Sequence, residues 1–186
     1  GEGFWIVYHG SLVPARVPTT LIDALTLLPP QVGLRLSGYE TLGHTGYAAE
    51  LRARAEACGV GHRLDLRLNV PSRDELFERV RRSDVGLALM PLTPGDLNER
   101  HMTGASNKAF EYLSAGVPLL VSDLADWRTM FEAPGLARAC RPDDAASIAA
   151  AVHALLEDRD AVWQMGERGR QRALRSEEHT SELQSQ

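Results

Sequence analysis

Apolar residues in this chain fall into short runs separated by longer, one-sided patterns. Phe4–Tyr8, Val32–Leu36, Leu64–Leu68, Val85–Pro91, Pro118–Val121 and Leu136–Cys140 have the length and composition of strands. Runs of this kind, closed by Gly, Pro and Asp, predict strands buried in a sheet. Between them the period changes to that of a helix. Thr19–Leu28 carries Leu21, Leu25 and Leu28 at helical spacing and stops at Pro29-Pro30. Tyr47–Cys58 is closed by Gly59, Ser72 caps a helix over Glu75–Arg82, and another helix ends near Gly116. Asp143 or Asp144 caps a helix with Ile148, Val152, Leu155 and Leu156 on one face, and a last one runs from Asp160 toward Leu174. The expected fold is α/β and Rossmann-like: a mainly parallel sheet with helices on both faces.

The segment from Val85 to Asp123 organises the rest. It reads strand, polar loop, helix, strand, so its two strands should lie parallel. Ligands of open α/β sheets collect beyond the carboxyl ends of the strands, and a helix N-terminus there favours an anion. The small residues Gly104, Ala105 and Ser106 let an anion approach the backbone, and Lys108 adds a positive charge in the first turn. Glu111 lies one turn further on, in reach of hydroxyl groups such as those of a ribose. A helix merely capped by Ser106 or Asn107 fits the same spacing. One fact weights the ligand reading: Lys108 is the only lysine in a chain of 20 basic residues. Lysine and arginine differ most where a compact, mobile charge meets a phosphate.

Composition narrows the function classes. The chain has 186 residues, 44% hydrophobic and 24% charged, with a net charge of −5. That is enough for one domain with its own core, and its charge argues against a nucleic-acid partner. Cys58 and Cys140 offer neither a disulfide framework nor metal-ligand spacing, and no apolar run is long enough to span a membrane. The expected setting is cytoplasmic or peripheral to the inner face of a membrane, with membrane contact left open. His9 and His101 fall in loops at the expected ligand edge and read as solvated or hydrogen-bonded residues. Asp123 and Asp126 read as caps, and Trp127, Phe131 and Trp163 as packing residues. Neither a metal nor a cofactor is implied.

The two ends read differently from the middle. The chain opens on Gly1-Glu2-Gly3 and enters a strand at once, as an internal fragment would. Residues 175–186, RSEEHTSELQSQ, resemble the in-frame translation of a common sequencing adapter and are expected to be non-native. Without them the domain at residues 1–174 carries 19 basic against 22 acidic residues, a net charge of −3.

The run Ser106-Asn107-Lys108-Ala109-Phe110-Glu111-Tyr112-Leu113-Ser114-Ala115-Gly116-Val117-Pro118 resembles the signature of nucleotide-sugar-dependent glycosyltransferases of the GT-B architecture, in particular retaining family 4. The resemblance implies that this is the second, donor-binding half of such an enzyme, with the N-terminal acceptor domain of the same chain missing. It implies a nucleoside-diphosphate sugar as substrate, transfer of its glycosyl group with retention, and Glu111 on the donor's ribose. Gly10-Ser11-Leu12-Val13-Pro14-Ala15-Arg16 is similar to the family's first loop, with Arg16 at the position of a lysine that faces the diphosphate. Arg16 and Lys108 are then the catalytic charges on the departing diphosphate. Gly10, Ser11, Thr103, Gly104, Ala105, Ser106, Asn107 and Glu111 line the donor site. Two positions depart from the family: Ser11 replaces an arginine, and Thr103 replaces a glutamate near the donor sugar. They keep open a non-catalytic nucleotide-sugar-binding homologue, and a nucleotide-sugar epimerase on the same fold is the other alternative. The absence of G-x-G-x-x-G after the first strand argues against a dinucleotide oxidoreductase. A fragment without its acceptor domain should bind donor and turn over little.

Overall fold

A computed structural model describes residues 3–70, 72–92 and 107–185. Six strands form one sheet in the order β3-β2-β1-β4-β5-β6. They are β1 (Phe4–Ser11), β2 (Val32–Tyr39), β3 (Leu64–Leu68), β4 (Val85–Ala88), β5 (Leu119–Ser122) and β6 (Ala137–Cys140). Every pairing is parallel. This is the doubly wound arrangement, with its order reversing between β1 and β4, so the expected Rossmann-like fold is the observed one.

The central strands β1, β4 and β5 are apolar on both faces because both faces are covered, whereas the edge strands β3 and β6 expose Arg67 and Arg138. On β1, Phe4, Ile6 and Tyr8 join one core cluster while Val7 joins the other. On β5, Leu120 faces one cluster and Leu119 and Val121 the other. The first cluster lies under α1 (Thr20–Leu25), α2 (Tyr47–Ala57) and α6 (Ala145–Leu156). The second lies under α4 (residues 107–114) and the short α5 (Ala125–Trp127), where Tyr112, Trp127 and Phe131 are buried. Each fully buried aliphatic or aromatic side chain contributes about 1.5–3 kcal/mol. Both clusters together hold the sheet edge in place.

Helix starts follow the expected chemistry. Ser72 Oγ accepts from Glu75 N at 3.1 Å at the head of α3 (Arg73–Arg81). Asp144 Oδ1, rather than Asp143, accepts from Ala146 N and Ser147 N. Asp158 caps α7 (Arg159–Gln184), two residues before the expected start.

Several expectations are corrected. Asp123 and Asp126 do not cap: Leu124 precedes α5 without a side-chain cap, and Asp123 pairs with Arg128. The segment continues into a π-turn over Arg128–Glu132, a helical stretch that its mixed pattern hid. Trp127 and Phe131 are core residues, whereas Trp163 is 68% exposed. The last helix runs well past Leu174 to Gln184, because Glu, Ser, Gln and Leu after that point permit helix.

β1 is longer than its apolar run because pairing carries it onward. His9, Gly10 and Ser11 match Ser37, Gly38 and Tyr39 of β2. The two strands approach so closely that a Cβ on Gly38 would lie 1.8 Å from the Gly10 carbonyl oxygen. His9 therefore sits in a strand, not in a loop, and most of its side chain is buried.

Candidate functional site

The carboxyl ends of β1 and β2 open into a cleft of about 450 Å³. His9, Gly10 and Lys108 form one side of it, and Ser37, Gly38 and Tyr39 another. Asn69, Val70 and Leu76 complete the wall. Asn69 follows β3 with φ 54° and donates its N–H to Gly38 O at 2.9 Å, which holds this wall against the end of β2. The cleft adjoins the point where the strand order reverses, the ordinary ligand position in this fold.

Three successive contacts tie α4 to β1. Lys108 Nζ donates to His9 O at 2.8 Å. The backbone N–H of His9 donates to Tyr112 Oη at 3.3 Å. His9 Nε2 lies 3.0 Å from Glu111 Oε2. Residues 108, 111 and 112 share one face of the helix, and that face rests on His9. The Lys108 side chain crosses directly over Gly10, where a Cβ would meet Nζ at 2.2 Å. Gly10, at φ 135°, is thus required both by its backbone and by the lysine above it.

The electrostatics follow from burial. Desolvation lowers the Lys108 pKa, with Glu111 opposing and Arg16 reinforcing the shift. Arg16 is therefore within electrostatic reach of Lys108, and it also acts on the Tyr8 phenol, which burial pushes up to about 12. Tyr8 Oη donates to Ser11 O at 2.7 Å, and Lys108 Nζ stands 5.3 Å over the Tyr8 ring. Burial, then the Lys108 charge, lowers the His9 pKa against the pull of Glu111. His9 is accordingly neutral at neutral pH. Burial raises the Tyr112 phenol far above its usual range, so it stays protonated.

The structure thus brings together five of the residues singled out by sequence: Gly10, Ser11, Arg16, Lys108 and Glu111. Asn107 is exposed at the first described position of α4. Thr103, Gly104, Ala105 and Ser106, and also His101, lie outside the described residues. Sequence reasoning placed His9 at the ligand edge only as a solvated or hydrogen-bonded residue, and did not single out Tyr112, Tyr39, Asn69 or Arg73 for the site. His9 stood directly before Gly10 at the end of an apolar run, which was the available signal. Among the described residues, no group of three or more His, Cys, Asp or Glu side chains could hold a metal ion. No described helix is long and apolar enough to cross a membrane.

The sequence profile of the glycosyl transferase-like family matches residues 20–184. The chain belongs to that family. Among curated proteins, none matches it. Solved structures resemble this glycosyl transferase-like domain closely in fold and distantly in sequence. The C-terminal domain of the glycosyl transferase group 1 family protein LpcC from Francisella tularensis superposes with a TM-score of 0.71 at 13% identity, covering 91% of this chain and 84% of that one. Anabaena Alr3699/HepE in complex with UDP and glucose gives 0.73 at 17% identity, over 100% of this chain and 49% of its own. The catalytic domain of cholesterol-α-glucosyltransferase from Helicobacter pylori gives 0.69 at 16%, over 94% and 99%. The chain spans about half the length of Alr3699/HepE. The GT-B resemblance read from residues 106–118 is the fold and family found.

Proposed function

We propose that this domain binds a nucleoside-diphosphate sugar and, together with an N-terminal acceptor domain of a longer chain, transfers the glycosyl group with retention. The observation that carries the reading is the meeting of Lys108 and Glu111 on His9 at the carboxyl edge of the sheet, with Arg16 in electrostatic reach of Lys108. Arg16 and Lys108 supply positive charge for a diphosphate, and Glu111 supplies an acceptor for ribose hydroxyls. A departing diphosphate gains negative charge, and preorganised cations stabilise that charge without reorganising at the moment of reaction. The same two cations take the role a metal would otherwise fill, so donor binding should survive chelators. That Alr3699/HepE is found with UDP and glucose supports a uridine nucleotide as the first ligand to try. Ser11 keeps a non-catalytic binder in view, and turnover by the longer protein separates the two readings.

The test is a titration of the 186-residue chain with UDP, GDP, ADP and dTDP, in the wild type and in Glu111→Ala. Saturable binding of one nucleotide, weakened about tenfold or more in the variant, is the expected result. A folded chain that binds none of the four would sink the reading.

A further inference from the structure

His9 has no assigned part in binding, yet it is where the site's contacts converge. Its carbonyl takes the Lys108 ammonium, its N–H meets Tyr112 and its ring meets Glu111. The imidazole is fixed in place by aromatic edges, 5.5 Å from the Tyr112 ring centroid and 6.5 Å from that of Phe77. Nε2 is buried and, despite its 3.0 Å approach to Glu111 Oε2, makes no aligned hydrogen bond. A buried polar atom left in this state calls for a physical reason.

The Glu111 carboxylate has two distinct sides. Oε2 points inward to His9. Oε1 points outward, 3.7 Å from the Arg73 guanidinium, whose side chain is 76% exposed and readily displaced. An unprotonated imidazole nitrogen facing Oε2 would oppose two lone pairs, so the neutral ring presents Nε2–H to the carboxylate. The 3.0 Å separation already allows that hydrogen bond, and such bonds commonly tighten only when ligand is present. With Oε2 so engaged, Oε1 is left to accept from a hydroxyl.

We propose that His9 is the positioning residue of the donor site: its Nε2–H fixes one oxygen of Glu111 so that the other accepts from the ribose 2′- and 3′-hydroxyls. His9 thereby gives the site its discrimination between ribose and deoxyribose. The proposal rests on the nucleotide-sugar reading of the cleft.

The experiment measures affinities of UDP, GDP and ADP, each against its 2′-deoxy counterpart, with pyrophosphate as a control lacking sugar. Wild type, His9→Phe and His9→Gln are compared. The wild type should favour the ribonucleotide about tenfold. His9→Phe fills the aromatic slot without the N–H, and should reduce that preference to about twofold or less while pyrophosphate affinity holds. His9→Gln places an amide N–H near the position of Nε2, and should restore the preference. An unchanged preference in a folded His9→Phe would overturn the role. Because that variant can fail to fold, the wild-type imidazole is also followed by ¹⁵N NMR and assigned by its loss in His9→Gln. Its Nε2 resonance should move with the ribonucleotide and stay put with pyrophosphate; no movement with either overturns the proposal. If the wild type binds no nucleotide, the reading of the site fails first, which is a distinct result from a wild type that binds and a His9→Phe that matches it.

Discussion

Arg79 and Lys108 both reach from a helix toward the carboxyl half of the sheet, and they end in opposite conditions. Arg79, on α3, is buried and enclosed by acceptors. Its Nε donates to Ser37 Oγ at 2.6 Å, one terminal nitrogen to Asp65 Oδ2 at 2.9 Å, and the other to the Leu36 and Asp65 carbonyls. Lys108, on α4, makes one hydrogen bond among the described residues, to His9 O, although an ammonium carries three donors. A planar guanidinium with four hydrogen bonds from its five N–H groups fastens one element to two strands and has little left for a ligand. An ammonium with one hydrogen bond among the described residues, beside a cleft and in the field of Arg16, is the better placed of the two to meet an incoming anion. On the proposed function, two basic residues about thirty positions apart divide the work, and only their surroundings tell them apart.

The largest effect should come from emptying the saturated position. Arg79→Met leaves Ser37 unpaired and Asp65 with only Arg35 and the exposed Arg67. Removing one member of a well-buried pair costs about 3–5 kcal/mol, and Asp65, being 30% exposed, recovers some of that from water. A loss of about 2–4 kcal/mol by urea denaturation is expected. A loss below about 1 kcal/mol would mean that the filled geometry does not hold α3 in place.

Lys108→Ala should invert that outcome. Folding stability should change by about 1 kcal/mol or less, since one hydrogen bond to a strand carbonyl is lost. Affinity for a nucleoside diphosphate should fall about tenfold or more, and that for the bare nucleoside hardly at all. Equal weakening of both ligands would remove Lys108 from the diphosphate. The same charge makes binding sensitive to alkali. With its pKa depressed by burial, Lys108 loses its proton below the ordinary 10.5. Diphosphate affinity should therefore fall as pH rises through that lower value. Folding responds with the opposite sign: between the folded and unfolded pKa the unfolded chain binds the extra proton, so stability rises with pH as the cost of burying the charge is relieved. Affinity and stability diverging over one alkaline window, and ceasing to diverge in Lys108→Arg, is the signature expected.

How much of this could be read from sequence depends on the range of the interaction. The central strands were legible because both of their faces are buried, which writes a continuous apolar run into the chain; the edge strands β3 and β6 showed instead as short alternating runs. Ser72 and Asp144 were legible as caps because capping acts over two or three residues. Lys108 and Glu111 stood out through spacing within one helix. His9 did not, because its significance lies in pairing with residues about a hundred positions away, and at short range it looks like the start of a loop. Arg79 was hidden for the same reason: nothing local to α3 says that Ser37 and Asp65 will surround it. Trp163 erred the other way, since a large aromatic in a helix is expected to be buried and this one faces solvent.

The contrast between filled and unfilled surroundings also divides α7. Up to Ala173 the helix packs on the core through Val162, Met165, Gly166 and Gly169. From 174 to 185 every residue is exposed. Ser176, Glu177, Thr180 and Ser181 only border an open depression against Phe110 and Ser114 of α4. The segment is hydrogen-bonded within its own helix and buries little else. Removing residues 175–186 should therefore change folding stability by less than about 1 kcal/mol in urea and leave diphosphate affinity unchanged. This is the smallest effect expected, and it is informative because α4 carries both Lys108 and the wall of that depression. A clear drop in affinity with stability intact would show the segment steering α4, and would return it to the domain.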